Sequence, residues 1–337
     1  MTTESGSVSV NLASYLRSLV PVDNRIHLCT SVLPTLVKSI LDIAKSLEGS
    51  QNVSLVGSSN AFGDEQLNVD VLAEQIIRAS IAKCPTVVTA SSEEDPVERP
   101  TERKVETQSN DINSEEYTVA FDPLDGSSII APNWTVGTII GVWDGQSALH
   151  QPPEEKLVAS ILGVYGPRTT VIVALRVPGS RGYCFEAGLR HDTPDEILLV
   201  QQNIQLAAPP FKTRYFAPAN LRAAVEDENY MTLITYYVQN KYTLRYSGGL
   251  VPDVVHMLVK SHGVYISPVT GQSRAKLRRL YELYPIALII ECAGGRAVDT
   301  LDGKDILSWT LRDIDERAGL VCGTKEEVDF AVKSLLG

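Results

Sequence analysis

Apolar residues first recur at a helical period over 33–47, where Leu33, Leu36, Val37, Ile40, Ile43, Ala44 and Leu47 share one face and Gly49 follows as a stop. The spacing predicts a long amphipathic helix. Val69, Leu72, Ile76 and Ala79 repeat the pattern over about 64–83, closed by Pro85, and predict a second. Beyond Pro85 the texture changes to β-branched runs at 86–90, 117–121 and 136–142, each bounded by Gly, Pro, Ser or Asp. Strands are expected there and again at 157–164, 169–177 and 197–200. The charged interval 96–116 reads as a surface loop. Pro209-Pro210 interrupts any regular element and suggests a division into 1–205 and 206–337. In the second part, helical texture at 254–260 and 277–293 flanks a strand candidate at 263–266. Helices and strands mix in both parts, which is the α/β class.

Composition narrows the function classes. The 337 residues carry 30 Lys and Arg against 41 Asp and Glu, a net charge of −11. Such a surface repels nucleic acid and anionic membranes, and neither is expected as a partner. Apolar residues make up 44% and charged residues 21%, an ordinary globular balance. Cys29, Cys84, Cys184, Cys292 and Cys322 are odd in number, widely spaced and never C-x-x-C, so they read as thiols in a reducing compartment. The apolar run 286–290 is far short of a membrane span. The first residues lack the order of a signal or transit peptide, and SLLG at the end matches no lipidation signal, which leaves the cytoplasm as the expected compartment.

The chemistry concentrates in Phe121-Asp122-Pro123-Leu124-Asp125-Gly126-Ser127-Ser128, directly after the strand candidate YTVAF. Pro123 fixes the turn so that both carboxylates and the Leu124 carbonyl face one point, and Gly126 lets backbone N–H groups turn outward. Oxygen ligands beside free N–H donors suit Mg²⁺ and a phosphate. A bare D-x-x-D-G is usually only an Asx-type turn, but the eight-residue string is far more specific. Glu93-Glu94-Asp95 ends the strand candidate TVVTA in the same way, and two adjacent strands ending in acids would pool them in one crevice. Asp64 reads as a helix N-cap, Asp70 as a half-buried acid needing a partner, and Glu282 as a helical acid. No H-E-x-x-H, G-x-S-x-G or P-loop string occurs, which disfavours zinc, serine and nucleotide hydrolysis.

At FDPLDGSS the sequence resembles the fructose and sedoheptulose bisphosphatases, within the wider lithium-sensitive sugar and inositol phosphatase superfamily. NAFGDEQLNVDVLAE, SSEE, TVGTIIGVW, YGPRTT, KYTLRYSGGLVPDVV, AKLRRLYELYP and ECAGG are similar to the family's blocks in the family's order, over roughly 55–325. GDEQL, APANLRA and RYSGGLVPDV resemble the sedoheptulose branch. The resemblance implies a layered α-β-α-β-α fold and a homo-oligomer, dimer or tetramer. It implies a Mg²⁺-dependent phosphatase, with Mn²⁺ able to substitute, that removes the 1-phosphate of sedoheptulose 1,7-bisphosphate. Carried over by motif, Glu93, Asp122, Asp125, Glu282 and the Leu124 carbonyl would hold the metal, roughly two or three ions. The Gly126 and Ser127 amides would cradle the reacting phosphate. Asp70 with Glu94 would position and deprotonate the water, supported by Asp64. Arg245, Tyr246, Lys276 and Arg278 would bind the sugar and distal phosphate, Arg245 reaching from a neighbouring subunit in one version.

The chain also departs from the family. It lacks the Gly-Thr-Gly-Glu-type loop of AMP-inhibited fructose bisphosphatases, and 49–61 has no counterpart of the plastid regulatory cysteine pair. A fructose or dual-specificity bisphosphatase is the alternative within the class, and a non-catalytic sugar-phosphate sensor the alternative outside it.

Overall fold

The periodicity at 33–47 becomes helix Leu33–Gly49, which buries Leu33, Leu36, Val37, Ile40, Ile43 and Ala44. The computed structural model describes residues 8–20, 25–50, 53–59, 65–101, 115–179 and 182–337. Asp64 and much of the charged interval therefore lie outside the described residues. Helix Asn68–Ile81 begins where the Asp70 carboxylate accepts the Leu67 N–H, later than the spacing suggested. With Leu12–Leu19, these helices pack on one face of a nine-stranded sheet.

That sheet runs in spatial order Val8–Asn11, Glu196–Gln201, Tyr183–Leu189, Thr169–Leu175, Leu157–Tyr165, Val136–Asp144, Tyr117–Asp125, Val87–Ser92, Arg99–Pro100. Arg99–Pro100, expected in a loop, instead pairs at the sheet edge with Thr89 and Ala90. The pairings are antiparallel except Val87–Ser92 with Tyr117–Asp125, whose parallel register sets Ser92 against Phe121. The next residues, Glu93 and Asp122, are therefore neighbours where that pairing ends, and the Glu93 N–H donates to the Phe121 carbonyl at 3.0 Å. All nine residues of Tyr117–Asp125 are buried, as expected for a central strand covered on both faces.

Helices Leu250–Val259 and Tyr284–Cys292 form the middle layer. Every residue from Tyr284 to Ile290 is buried, because this helix lies between two sheets and has no solvent face. The second sheet has the order Thr243–Leu244, Tyr215–Pro218, Val264–Ser267, Leu320–Gly323, Arg296–Val298, and helices Glu228–Gln239 and Lys325–Leu336 cover its far side. The architecture is the layered α-β-α-β-α arrangement. The helix read over 277–293 is divided into strand Leu277–Arg278, a π-helical turn Arg279–Leu283 and helix Tyr284–Cys292. Pro285 enters at the start of that last helix, where a missing N–H costs least. Among the described residues, no helix is long and apolar enough to cross a membrane.

Candidate metal centre and adjoining cleft

Residues three apart in a regular strand point to opposite faces. Asp122 and Asp125 escape that rule through an irregularity between them, after which Asp125 pairs with Gly137. The Thr138 hydroxyl holds the Pro123 carbonyl at 2.8 Å, and the Leu124 N–H closes on Asp122 Oδ1 at 3.0 Å. Gly137 opposite has no side chain, and a Cβ there would lie 2.5 Å from Val251. Helix Leu250–Val259 can therefore approach, and Leu250 and Val251 donate their N–H groups to Asp125 Oδ1 and Oδ2 at 3.1 and 2.7 Å. Gly126 follows with φ +88°, which a side chain would strain, and starts the short helix Ser127–Ile130.

Glu282 reaches the same point from the π-helical turn, a geometry often found at functional sites. Its carboxylate accepts the Arg278 N–H at 2.5 Å. Ligand oxygens of Asp122, Asp125 and Glu282 lie within 4.8 Å of one another, all three side chains buried. Burial pushes the Asp122 carboxyl far above the usual range, with Glu93, Asp125 and Glu282 adding repulsion. Asp125 is raised by burial against the pull of its two N–H donors, and Glu282 by burial and Glu93. Asp70 is raised to about 6 by burial, with Glu93 adding to it and the Leu67 N–H opposing it. One Asp70 oxygen, Oδ1, has no hydrogen-bond partner among the described residues.

Buried like charges with oxygen-only donors fit a hard divalent cation, which would relieve both their repulsion and their desolvation. The Glu93 carboxylate, expected as a ligand, is joined to the Arg278 guanidinium. Glu93 and Glu94 are each partly buried, and Glu93 lies near enough to raise the Asp122, Asp125 and Glu282 carboxyls.

A cleft of about 730 Å³ is lined by Asn133, Trp134, Tyr165, Arg245, Tyr246 and His256, among others. Arg245 lies over the Tyr215 ring with its guanidinium carbon 5.9 Å from the centroid. Basic and hydroxyl groups there suit an anionic ligand. Lys276 is exposed ahead of strand Leu277–Arg278 and does not line this cleft. Arg278 is placed differently from the expectation for a distal-phosphate ligand. It is 3% exposed and faces Glu93, with Asp315 at 3.6 Å, because the short strand that carries it runs into the wall of the acid cluster.

The N-terminal domain of fructose-1,6-bisphosphatase matches residues 23–190 of this chain, and its C-terminal domain matches 210–335. The chain belongs to the fructose-1,6-bisphosphatase family. Relatives include the chloroplastic sedoheptulose-1,7-bisphosphatase of Triticum aestivum, 38% identical over 82% of this chain and 66% of that one. The class 1 fructose-1,6-bisphosphatase of Syntrophotalea carbinolica is 32% identical over 96% and 92%. The alignments span only about two thirds of the chloroplastic relatives' length, 66, 67 and 64%. Among solved structures, a Toxoplasma gondii protein provisionally identified as a sedoheptulose-1,7 bisphosphatase superposes with a TM-score of 0.84 at 33% identity, covering 97% of this chain and 98% of that one. The fructose-1,6-bisphosphatase of Leishmania major in holo form gives 0.80 at 25%, covering 97% and 99%.

Within this fructose-1,6-bisphosphatase family member, sequence reasoning missed Asp253. It is buried, lines the cleft and accepts hydrogen bonds from Ser247 and Gly248. Its place inside the apolar run LVPDVV was the available signal, since an acid there needs donors from somewhere.

Proposed function

We propose that this chain is a Mg²⁺-dependent sugar bisphosphatase that hydrolyses the 1-phosphate of sedoheptulose 1,7-bisphosphate. The buried trio Asp122, Asp125 and Glu282 carries the reading, because three carboxylates whose oxygens lie within 4.8 Å of one another and out of water repel one another unless a cation lies between them. Metal bound there, roughly two or three ions of Mg²⁺ or Mn²⁺, would acidify a water and neutralise charge on the leaving oxygen. Asp122, Asp125, Glu282, Glu93 and the Leu124 carbonyl are its holders in this reading. Asp70, raised to about 6, is poised to take a proton near neutral pH, with Glu94 as its companion. The Gly126 and Ser127 amides receive the reacting phosphate, and Arg245 and Tyr246 receive the distal end, with Lys276 close in sequence to the acid cluster. Asp64, next to Glu65 in sequence, is the supporting residue in this reading. The 1–205 part would then carry the metal and 1-phosphate centre, joined by Glu282 from 206–337, and 206–337 would bind the sugar and distal phosphate, in a homo-oligomeric enzyme of a reducing, cytoplasm-like compartment.

The seven-carbon substrate is supported by the higher identity to the chloroplastic sedoheptulose enzymes and by RYSGGLVPDV. Near full-length similarity to class 1 fructose enzymes supports the six-carbon alternative. Phosphate release from both sugars, compared as kcat/KM, separates them. At least a tenfold preference for the seven-carbon substrate is expected. Equal or reversed values would overturn the sugar assignment, and no release from either at saturating Mg²⁺ would overturn catalysis itself in favour of a sensor.

A further inference from the structure

Helix Leu250–Val259 begins after Gly249, which has no side chain to cap it. Its amides are nonetheless fully accounted for. Leu250 and Val251 donate to Asp125, 125 and 126 residues away in sequence. Pro252 has no N–H to place, and the Asp253 N–H points to the Gly249 carbonyl at 3.4 Å. The Asp253 side chain, 6% exposed, turns back over the helix start. Its Oδ1 accepts the Ser247 N–H at 2.7 Å and the Ser247 hydroxyl at 2.8 Å, and its Oδ2 accepts the Gly248 N–H at 3.3 Å. The Ser247 oxygen then takes the Gly249 N–H at 3.3 Å.

Five consecutive amides, Ser247 to Val251, are thus held by two carboxylates and one hydroxyl. Only an acceptor-only group can take three donors at once, which explains an acid here rather than Asn or Ser. The turn it fixes has φ +103° at Gly248 and leads directly from Arg245 and Tyr246, which line the cleft together with Asp253.

We infer that Asp253 is a positioning residue for the distal end of the substrate. It holds the Ser247–Gly248 turn, sets Arg245 and Tyr246 in the cleft and, through the first turn of Leu250–Val259, ties them to Asp125 and the acid cluster. The inference rests on the bisphosphatase reading and adds to it a physical link between the metal centre and the distal subsite. Coupling of this kind is demonstrated only by non-additivity.

The test is steady-state kinetics on Asp253→Ala, Asp253→Asn, Ser247→Ala, Arg245→Ala and the double variant Asp253→Ala with Arg245→Ala. Asp253→Ala should raise KM about tenfold or more while kcat changes less than about threefold, the signature of lost uniform binding. Asp253→Asn keeps an acceptor oxygen for the two Ser247 donors but none for the Gly248 N–H, and should recover only part of that loss. With Arg245 already removed, Asp253→Ala should raise KM less than about twofold, because the group it positions is gone. An unchanged KM, a fall confined to kcat, or full multiplication of the two single effects would each overturn the inference. Should Asp253→Ala not fold, Ser247→Ala keeps the Ser247 and Gly248 N–H bonds to Asp253, removes the hydroxyl that also accepts the Gly249 N–H, and should still raise KM about threefold, and an unchanged value would overturn the role. If the wild type releases phosphate from neither sugar, the functional reading fails separately. Fructose 6-phosphate binding measured by calorimetry with Mg²⁺ then decides the positioning role: about fivefold weaker binding by Asp253→Ala supports it, and equal affinity overturns it.

Discussion

Asp70→Asn should stabilise the metal-free protein at neutral pH while it destroys turnover. Asp70 is 4% exposed, with one oxygen on the Leu67 N–H at 2.9 Å and the other without a hydrogen-bond partner among the described residues. Burial first, and then Glu93, raise its pKa to about 6. Below about pH 4 the residue is protonated in the folded and unfolded chains alike and contributes nothing. As pH rises past 4 the unfolded chain releases its proton while the fold retains it, so unfolding becomes steadily more favourable until the folded group ionises near 6. A displacement of about two units corresponds to roughly 3 kcal/mol, lost from the wild type over that window and absent at every pH from the neutral amide. The amide oxygen still accepts the Leu67 N–H, so the substitution removes charge without removing the helix start. Urea unfolding in chelator at pH 4, 6 and 8 should give coincident midpoints at the lowest pH and a gain for Asp70→Asn of about 2–3 kcal/mol at the two higher ones. Phosphate release with Mg²⁺ should fall by about 10²–10⁴, the usual worth of a general base. A variant less stable than wild type at pH 8, or a gain of equal size at pH 4, would refute the reasoning.

Asp122→Asn should abolish turnover and leave the circular dichroism spectrum unchanged, because it removes charge but not shape, and wild-type phosphate release at saturating Mg²⁺ would contradict a metal role. Gly137→Ala drives a Cβ to 2.5 Å from Val251, should cost about 1–3 kcal/mol in a urea titration, and should weaken Mg²⁺ binding by calorimetry as the helix moves off Asp125. Unaltered Mg²⁺ affinity in a destabilised Gly137→Ala would separate the helix from the metal centre. All five cysteines are free and buried, and burial raises the Cys29 thiol to about 11 and that of Cys292 to about 12, so little thiolate is available for exchange. Activity after mild oxidation should match activity after dithiol reduction within about twofold. A manyfold activation on reduction that vanishes in Cys29→Ser or Cys84→Ser would reveal a disulfide switch.

The acids of FDPLDGSS were legible because their disposition is local. Pro123 and Gly126 act within two residues of the groups they aim, and YTVAF before them is already a strand by composition. The helix at 33–47 was legible for the same reason, since its burial pattern is its periodicity. The π-helical turn that aims Glu282 was not, because all five of its residues, Arg279 and Glu282 included, are buried and leave no alternation of buried and exposed positions from which to read its pitch. Nor was the edge pairing of Arg99–Pro100, where two residues have too little pattern to announce a strand.

By itself the sequence determined the class of fold, the strand-end acids and the oxygen-ligand chemistry, because propensity, turn geometry and side-chain charge act over a few residues of chain. Tertiary structure alone decided which groups those acids meet. The Asp125 carboxylate holds amides 125 and 126 residues downstream, and Arg278 meets Glu93 across 185 residues. The Asp253 loop lies over a helix that reaches Asp125 only because Gly137 leaves room for Val251. Such contacts depend on how two sheets close over one shared helical layer, and no local pattern encodes the registration of layers so far apart in the chain.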